Sequence, residues 1–69
     1  MQSKLIHQGT HFSACTIQNE KGLSLVVTKN RNQEGRIVLG DSAREFIDAI
    51  KSAIDKAEAD SLCRALFNQ

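Results

Sequence analysis

Three cationic side chains cluster around one predicted turn of the chain, because Lys29 and Arg31 precede the turn and Arg36 follows it. Lysine and arginine bind phosphate groups, so the cluster is typical of a site that follows a nucleic-acid backbone. Two neighbouring polar residues could add hydrogen bonds to phosphates or base edges, and these are Thr28 and Asn30.

The same cluster can also be interpreted as the solvated tip of a hairpin. Turns collect charged residues because they face water, and Glu34 cancels part of the positive charge. Phe12 can likewise be interpreted in two ways. On an open sheet face it could stack on a base, a contact worth about 1–3 kcal/mol, or it could fill a seam between two subunits.

Other residues capable of chemistry do not form a recognisable site. His7, His11 and Cys15 recur every four residues in strand-like sequence, where such positions are roughly 13 Å apart and cannot share a metal ion. The segment Gly40-Asp41-Ser42 resembles a nucleophile turn, but no base with an orienting acid accompanies it. We therefore predict no metal, no cofactor and no enzymatic activity.

Length and composition favour one small intracellular domain that spans residues 1–69. The formal net charge of +1 is far from that of a DNA-coating protein, so a basic surface would have to be local. A chain of this size has a thin core, and its two cysteines do not suggest a disulfide framework. We expect a homodimer to supply the missing burial. The N-terminal residues resemble neither a signal peptide nor a membrane span, which favours the cytoplasm.

Two segments have the pattern of hairpin turns. Residues 19–22 (NEKG) and 32–35 (NQEG) each have Asn first and Gly fourth, which favours a type I turn with a bulge at the glycine. Their flanks are rich in Thr, Val, Ile and Leu. The pattern predicts strands at about 11–18, 23–31 and 36–39, preceded by a short strand at about 4–8 that breaks at Gly9.

The register of the two hairpins decides which side chains share a sheet face. Pairing Asn19 with Leu23, and Asn32 with Arg36, best separates apolar from polar residues, and a one-residue slip would exchange the faces. The face that we expect a helix to cover has Cys15, Ile17, Leu23, Leu25, Val27, Ile37 and Leu39, with Lys29 and Arg31 at its end. The predicted open face has Phe12, Ala14, Thr16, Gln18, Ser24, Val26, Thr28, Asn30, Arg36 and Val38.

After Gly40 the apolar residues follow helical spacing. Ser42 and Glu45 form a capping-box pattern, so we predict one long helix from Ser42 to about residue 59. Residues 60–69 could extend it or start a second helix capped by Asp60 or Ser61. The apolar residues of this tail, which we expect to pack on another subunit, are Leu62, Ala65, Leu66 and Phe67. The predicted class is α+β, an antiparallel meander of three or four strands followed by a helix.

Residues 11–57 resemble one repeat of the PUR domain, within the wider group of Whirly-like and PC4-like binders of single-stranded nucleic acid. The resemblance lies in the predicted meander, in the segment VTKNRNQEGRIVL and in the helix SAREFIDAIKSAI. It implies a dimer paired through helices whose outward sheets bind single-stranded DNA or RNA. Lys29, Asn30, Arg31 and Arg36 match the basic and amide positions of the family, and Phe12 loosely matches an aromatic one.

Two functions from different classes are therefore predicted. The first is a small dimeric protein that binds single-stranded DNA or RNA, with Lys29, Arg31 and Arg36 on phosphates, Asn30 and Thr28 as hydrogen-bonding residues, and Phe12 stacked on a base. The alternative is a protein-interaction module, such as a phage or bacterial accessory or inhibitor protein, which near-neutral charge and few aromatics favour.

Overall fold

The chain folds into a four-stranded antiparallel sheet followed by two helices, in a computed structural model that describes residues 2–68. The strands pair in chain order as a meander. This confirms the predicted α+β class, whereas the prediction of a single long helix is wrong. The elements are β1 (Gln2–Gln8), β2 (Phe12–Asn19), β3 (Gly22–Lys29), β4 (Gly35–Leu39), α1 (Gly40–Lys51) and α2 (Lys56–Phe67).

The break between the helices is set by a capping arrangement at Asp55 and Glu58. The Asp55 carboxylate accepts a hydrogen bond from the backbone N–H of Glu58 at 2.9 Å, and the Glu58 carboxylate accepts one from the N–H of Ile54 at 3.2 Å. The first bond satisfies an N–H group that the helix start leaves unpaired, and the second holds the residue before the cap in place. The predicted cap at Ser42 is wrong, because α1 begins at Gly40 without a side-chain cap.

The second helix returns across the sheet and buries its own apolar residues. Leu66 and Phe67 are buried, and Leu62 packs at the edge of the same core. The expectation that this tail packs on another subunit is therefore wrong, and the tail no longer supports a dimer. Within residues 2–68, no helix is long and apolar enough to cross a membrane.

Both hairpin registers differ from those predicted. Asn19 pairs with Gly22 instead of Leu23, because the Asn19 side chain accepts the N–H of Lys21 at 2.9 Å and closes a two-residue turn. The glycine takes a φ of 123° there, which suits a residue without a side chain. In the second hairpin, Asn32 does not pair with Arg36. That pairing is replaced by Val27 with Arg36.

The second turn is longer than predicted because β3 ends at Lys29. The Lys29 N–H donates to the Glu34 carbonyl at 2.8 Å, and the Gln33 N–H donates to the Lys29 carbonyl at 2.9 Å. Gln33 adopts a left-handed φ of 61° within this loop. The pairing of β3 with β4 consequently shifts by an odd number of residues, which reverses the faces of β4.

After the two shifts, the side chains of β3 lie on the predicted faces of the sheet, whereas those of β2 and β4 lie on the opposite faces. Leu25 and Val27 of β3 face the helices, but Phe12 and Ala14 of β2 join them in place of Cys15 and Ile17. The uncovered face consequently mixes apolar with uncharged polar residues, and the predicted faces of β2 and β4 are wrong. The buried core has Phe12, Ala14, Leu25, Val27, Ala43, Ile47, Ile50, Ala59, Cys63, Leu66 and Phe67.

The substitution Asp55→Ala should destabilise the fold by about 1 kcal/mol, because α2 would lose its N-cap. Ser42→Ala is the matched control, since α1 has no side-chain cap, and it should change stability by no more than about 0.5 kcal/mol. Urea denaturation followed by circular dichroism measures both values. Equal losses in the two variants would contradict the assignment of the cap.

Candidate functional site

The carboxylate of Asp60 on α2 holds the helix against the start of the sheet. One oxygen lies 2.7 Å from Nε2 of His7 on β1, and the other accepts the backbone N–H of His11 at 3.1 Å. Gly9 runs so close to this pair that a β-carbon there would collide with Asp60 and His7. We call Asp60, His7 and the backbone N–H of His11 the Asp60 clamp, and it fixes one wall of the site described below.

The clamp keeps Asp60 ionised although the side chain is buried. Burial by itself would raise the pKa of Asp60, but the hydrogen bonds from His7 and from the His11 backbone outweigh it and lower that pKa below 3.8. The nearby thiol of Cys63 shows the opposite effect. Burial, together with the Asp60 charge, raises the pKa of Cys63 to about 11, so this thiol stays protonated and is a poor nucleophile.

A second group of contacts forms around the ring of Phe67 at the end of α2. The Lys29 ammonium lies 4.6 Å from the ring centroid, and the Arg36 guanidinium lies 5.2 Å from it. The ring also packs against the ring of Phe12, with 5.9 Å between the two ring centroids. Cation–π contacts of this kind contribute about 0.5–1 kcal/mol when exposed. They hold the hairpin cations in place over the end of the helix.

A basic cleft of about 470 Å³ opens beside this cluster. Three parts of the chain form it: the loop between β1 and β2, the end of β3 with its turn, and the last turn of α2. Among the described lining residues, three are cationic and none is acidic. The basic cleft is lined by Thr10, His11, Phe12, Lys29, Asn30, Arg31, Arg64 and Asn68.

The basic cleft continues along α2 as a shallower groove. A neighbouring cavity of about 310 Å³ shares Thr10, His11 and Arg64 with it and adds Lys56 at the start of the helix. Lys56 and Arg64 are eight residues apart on α2, which places them on one side of the helix. The positive charge therefore extends beyond the cleft, and Asp60, the acidic residue of this groove, is engaged in the Asp60 clamp.

Two of the three cationic side chains of the cleft are not held by other described side chains. Within residues 2–68, Arg31 and Arg64 make no ion pair or side-chain hydrogen bond. Lys29 differs, because its ammonium lies 3.9 Å from a carboxylate oxygen of Glu34. That pair is partly exposed and is therefore weak. An anion that enters the cleft would find two guanidinium groups that are not engaged by described carboxylates.

Asn30 has a structural role that the sequence did not indicate. Its side-chain oxygen accepts a hydrogen bond from the Ser13 hydroxyl at 2.6 Å, and its amide nitrogen donates to the carbonyl of Gly9 at 2.8 Å. These bonds join the turn after β3 to the start of β2 and to the loop after β1. The amide therefore fixes the position of the neighbouring cations and is already occupied.

The structure brings together only part of the predicted site. Lys29, Asn30 and Arg31 line the basic cleft, whereas Thr28 lies on the uncovered sheet face outside it. The prediction that Arg36 lies on the uncovered face is wrong, because it packs over Phe67 on the helix side.

The predicted position of Phe12 on the open face is also wrong. The ring is 4% exposed and packs against Phe67, because the register shift turns it toward the helices. In this structure it offers no face to a base.

Sequence reasoning missed four lining residues of the cleft. Arg64 and Asn68 reach it only because α2 returns across the sheet, and Thr10 and His11 reach it because the β1–β2 loop lies beside the turn after β3, where the Asn30 N–H donates to the His11 carbonyl at 2.9 Å. The spacing of Lys56, Asp60 and Arg64, four residues apart, was the available signal. Among residues 2–68, no group of three or more His, Cys, Asp or Glu side chains is placed to hold a metal ion.

Comparisons with models of protein families, with curated proteins and with solved structures find no match for this chain. The function proposed below therefore rests on the basic cleft and on the contacts that position its residues.

The Asp60 clamp should make folding stability depend on acid pH. Because the folded pKa of Asp60 lies below 3.8, the unfolded chain takes up the proton first. The contribution of the clamp is therefore complete at neutral pH and is lost as pH falls through the folded pKa. Asp60→Ala should cost about 1–3 kcal/mol at neutral pH, and Asp60→Asn should flatten the acid part of the pH profile of unfolding.

Asp48→Asn is the control for this pH profile, because Asp48 is an exposed carboxylate of α1. Urea titrations at several pH values between neutral and acid provide the measurement. An unchanged acid profile in Asp60→Asn, or equal flattening in both variants, would show that the clamp does not carry the effect.

Proposed function

We propose that the protein binds single-stranded DNA or RNA by holding its phosphates in the basic cleft. The observation that carries the proposal is the convergence of Lys29, Arg31 and Arg64 on one concave space whose described lining contains no acidic residue. Phosphates are the one feature that every nucleic acid presents to such a surface, and lysine and arginine supply most contacts to them.

The basic cleft is organised before a ligand arrives, which favours binding. Lys29 is held over Phe67, and the Asn30 amide joins the turn after β3 to the β1–β2 loop through the Gly9 carbonyl. Arg31 and Arg64 lie in the same cleft without a described ion pair. A phosphate would therefore form charge-assisted hydrogen bonds without displacing a carboxylate from either guanidinium.

A single strand fits this surface better than a duplex does. The cleft and its extension along α2 form a local track of positive charge, whereas the chain as a whole has a net charge of only +1. Basic grooves of this form follow the backbone of single strands. We place the protein in the cytoplasm as part of this proposal, and its resemblance to the PUR and PC4-like binders is in keeping with the same ligand.

Base recognition contributes little in this proposal. Phe12 and Phe67 are buried, and Asn30 is already hydrogen-bonded on both sides of its amide. Phosphate contacts then supply most of the affinity, so binding should be tolerant of sequence and sensitive to salt. Thr28 lies outside the basic cleft, so this proposal gives it no contact with the strand.

A protein-interaction module is the second candidate, and the uncovered sheet face favours it. Leu5, Ile37 and Leu39 on that face are exposed, and large exposed apolar residues in one place mark protein contacts. If this is the function, partners captured from a lysate should remain after nuclease treatment. If nucleic acid is the ligand, nuclease should release them.

The affinity for a single strand should fall steeply with salt and should depend on the cleft arginines. Three phosphate contacts predict a slope of about −2 in a plot of log affinity against log salt concentration. The double variant Arg31→Ala, Arg64→Ala keeps one of the three contacts, so its slope should be about −0.7. Fluorescence anisotropy of a labelled oligothymidine of about 15 nucleotides measures both slopes.

Arg44→Ala is the matched control, because Arg44 is exposed on α1 and does not line the cleft. It should bind as the unmodified protein does. Absence of binding at low salt and tens of micromolar protein would reject the proposed function. An equal loss of affinity in Arg44→Ala and in the double variant would reject the basic cleft as the binding site.

A further inference from the structure

The uncovered face of the sheet consists of three rows of residues that each cross all four strands. The strand pairing places Leu5, Cys15, Val26 and Ile37 in one row, which is entirely apolar. The row on one side of it alternates polar and apolar residues, and the row on the other side is polar. These flanking rows are Ser3, Ile17, Ser24 and Leu39, and Gln8, Ser13, Thr28 and Gly35.

None of these twelve positions carries a charged side chain, although the chain has nine basic and eight acidic residues. A face without charge does not attract phosphate, so the proposed function does not explain it. It also meets no electrostatic repulsion when it is placed against an identical face. Most surfaces of a protein with this many charges would bring like charges together in such a pairing.

The exposed apolar residues lie on the two outer strands of this face. Leu5 on β1 is 53% exposed, and Ile37 and Leu39 on β4 are each 67% exposed. Between them, Cys15 and Val26 are partly buried by their neighbours in the sheet. An antiparallel sheet with one face toward water normally presents polar residues there, so the exposed Leu5, Ile37 and Leu39 indicate a surface that a partner covers.

The total exposed surface supports the same conclusion. The chain exposes 4884 Å², whereas a monomer of 7.6 kDa typically exposes about 4,300 Å². The excess of about 600 Å² is somewhat below the surface that each partner buries in an interface of standard size. An excess of this size is in keeping with a surface that a modest, reversible partner covers.

We propose that a second copy of this chain covers the face, so that two sheets pack together with the helices outside. A two-fold axis between the sheets would set the apolar row of one copy against that of the other, at the spacing of about 10 Å usual for stacked sheets. The resulting dimer has four layers and is reversible, because each chain already encloses its own core.

Analytical ultracentrifugation of the full chain over an approximately hundredfold range of concentration tests the proposal. The unmodified protein should pass from monomer to dimer as concentration rises. Ile37→Lys should weaken the dimer by at least about tenfold, because it places two like charges within a dry interface. Ile54→Lys is the matched control, since Ile54 is 89% exposed in the connection between the helices, and it should form dimers normally.

A second measurement separates face-to-face packing from pairing of strand edges and needs no variant that might misfold. Cys15 lies in the apolar row, whereas Cys63 is buried with a pKa raised to about 11. Alkylation by iodoacetamide therefore reports on Cys15, and its rate should fall as dimers form. A monomer at all concentrations, a dimer that Ile37→Lys leaves intact, or a Cys15 rate independent of concentration would each overturn the proposal.

Discussion

Asp60 fixes where α2 lies on the sheet, together with the core residues that the helix buries, and most features of the molecule follow from that position. Asp60 joins the helix to the His7 side chain and to the backbone of His11, residues that lie about fifty positions earlier in the chain. With the helix held there, Phe67 reaches the ring of Phe12, and Arg64 comes to the turn that follows β3. A buried ionised group is costly unless hydrogen bonds satisfy it, and here those bonds also define the tertiary arrangement.

Local sequence patterns predicted the strands well and the registers poorly. The order of the strands and the positions of both turns follow from residues that favour turns and from runs of β-branched residues. The register could not be obtained in this way, because β2 has apolar side chains on both faces: Phe12 and Ala14 on one, Cys15 and Ile17 on the other. Sorting apolar residues onto one side fails when the uncovered side also carries many apolar residues.

Local sequence patterns were also insufficient for the helices and for the site. Ile54 continues the apolar spacing of α1 and so suggested one long helix, although Asp55 and Glu58 together have the sequence pattern of a new helix start. Lys29 and Arg31 could be recognised because they are close in sequence. Arg64 could not, since its place in the basic cleft depends on a contact between distant segments.

The close approach of Gly9 to the Asp60 clamp divides the β1–β2 loop into a fixed and an adjustable part. Any side chain at residue 9 would have to displace the groups that anchor α2, so this position cannot change without loosening the helix. Thr10 and His11 are exposed and line both cavities. Side chains can therefore be exchanged at these two positions to alter ligand preference while the scaffold beneath them is retained.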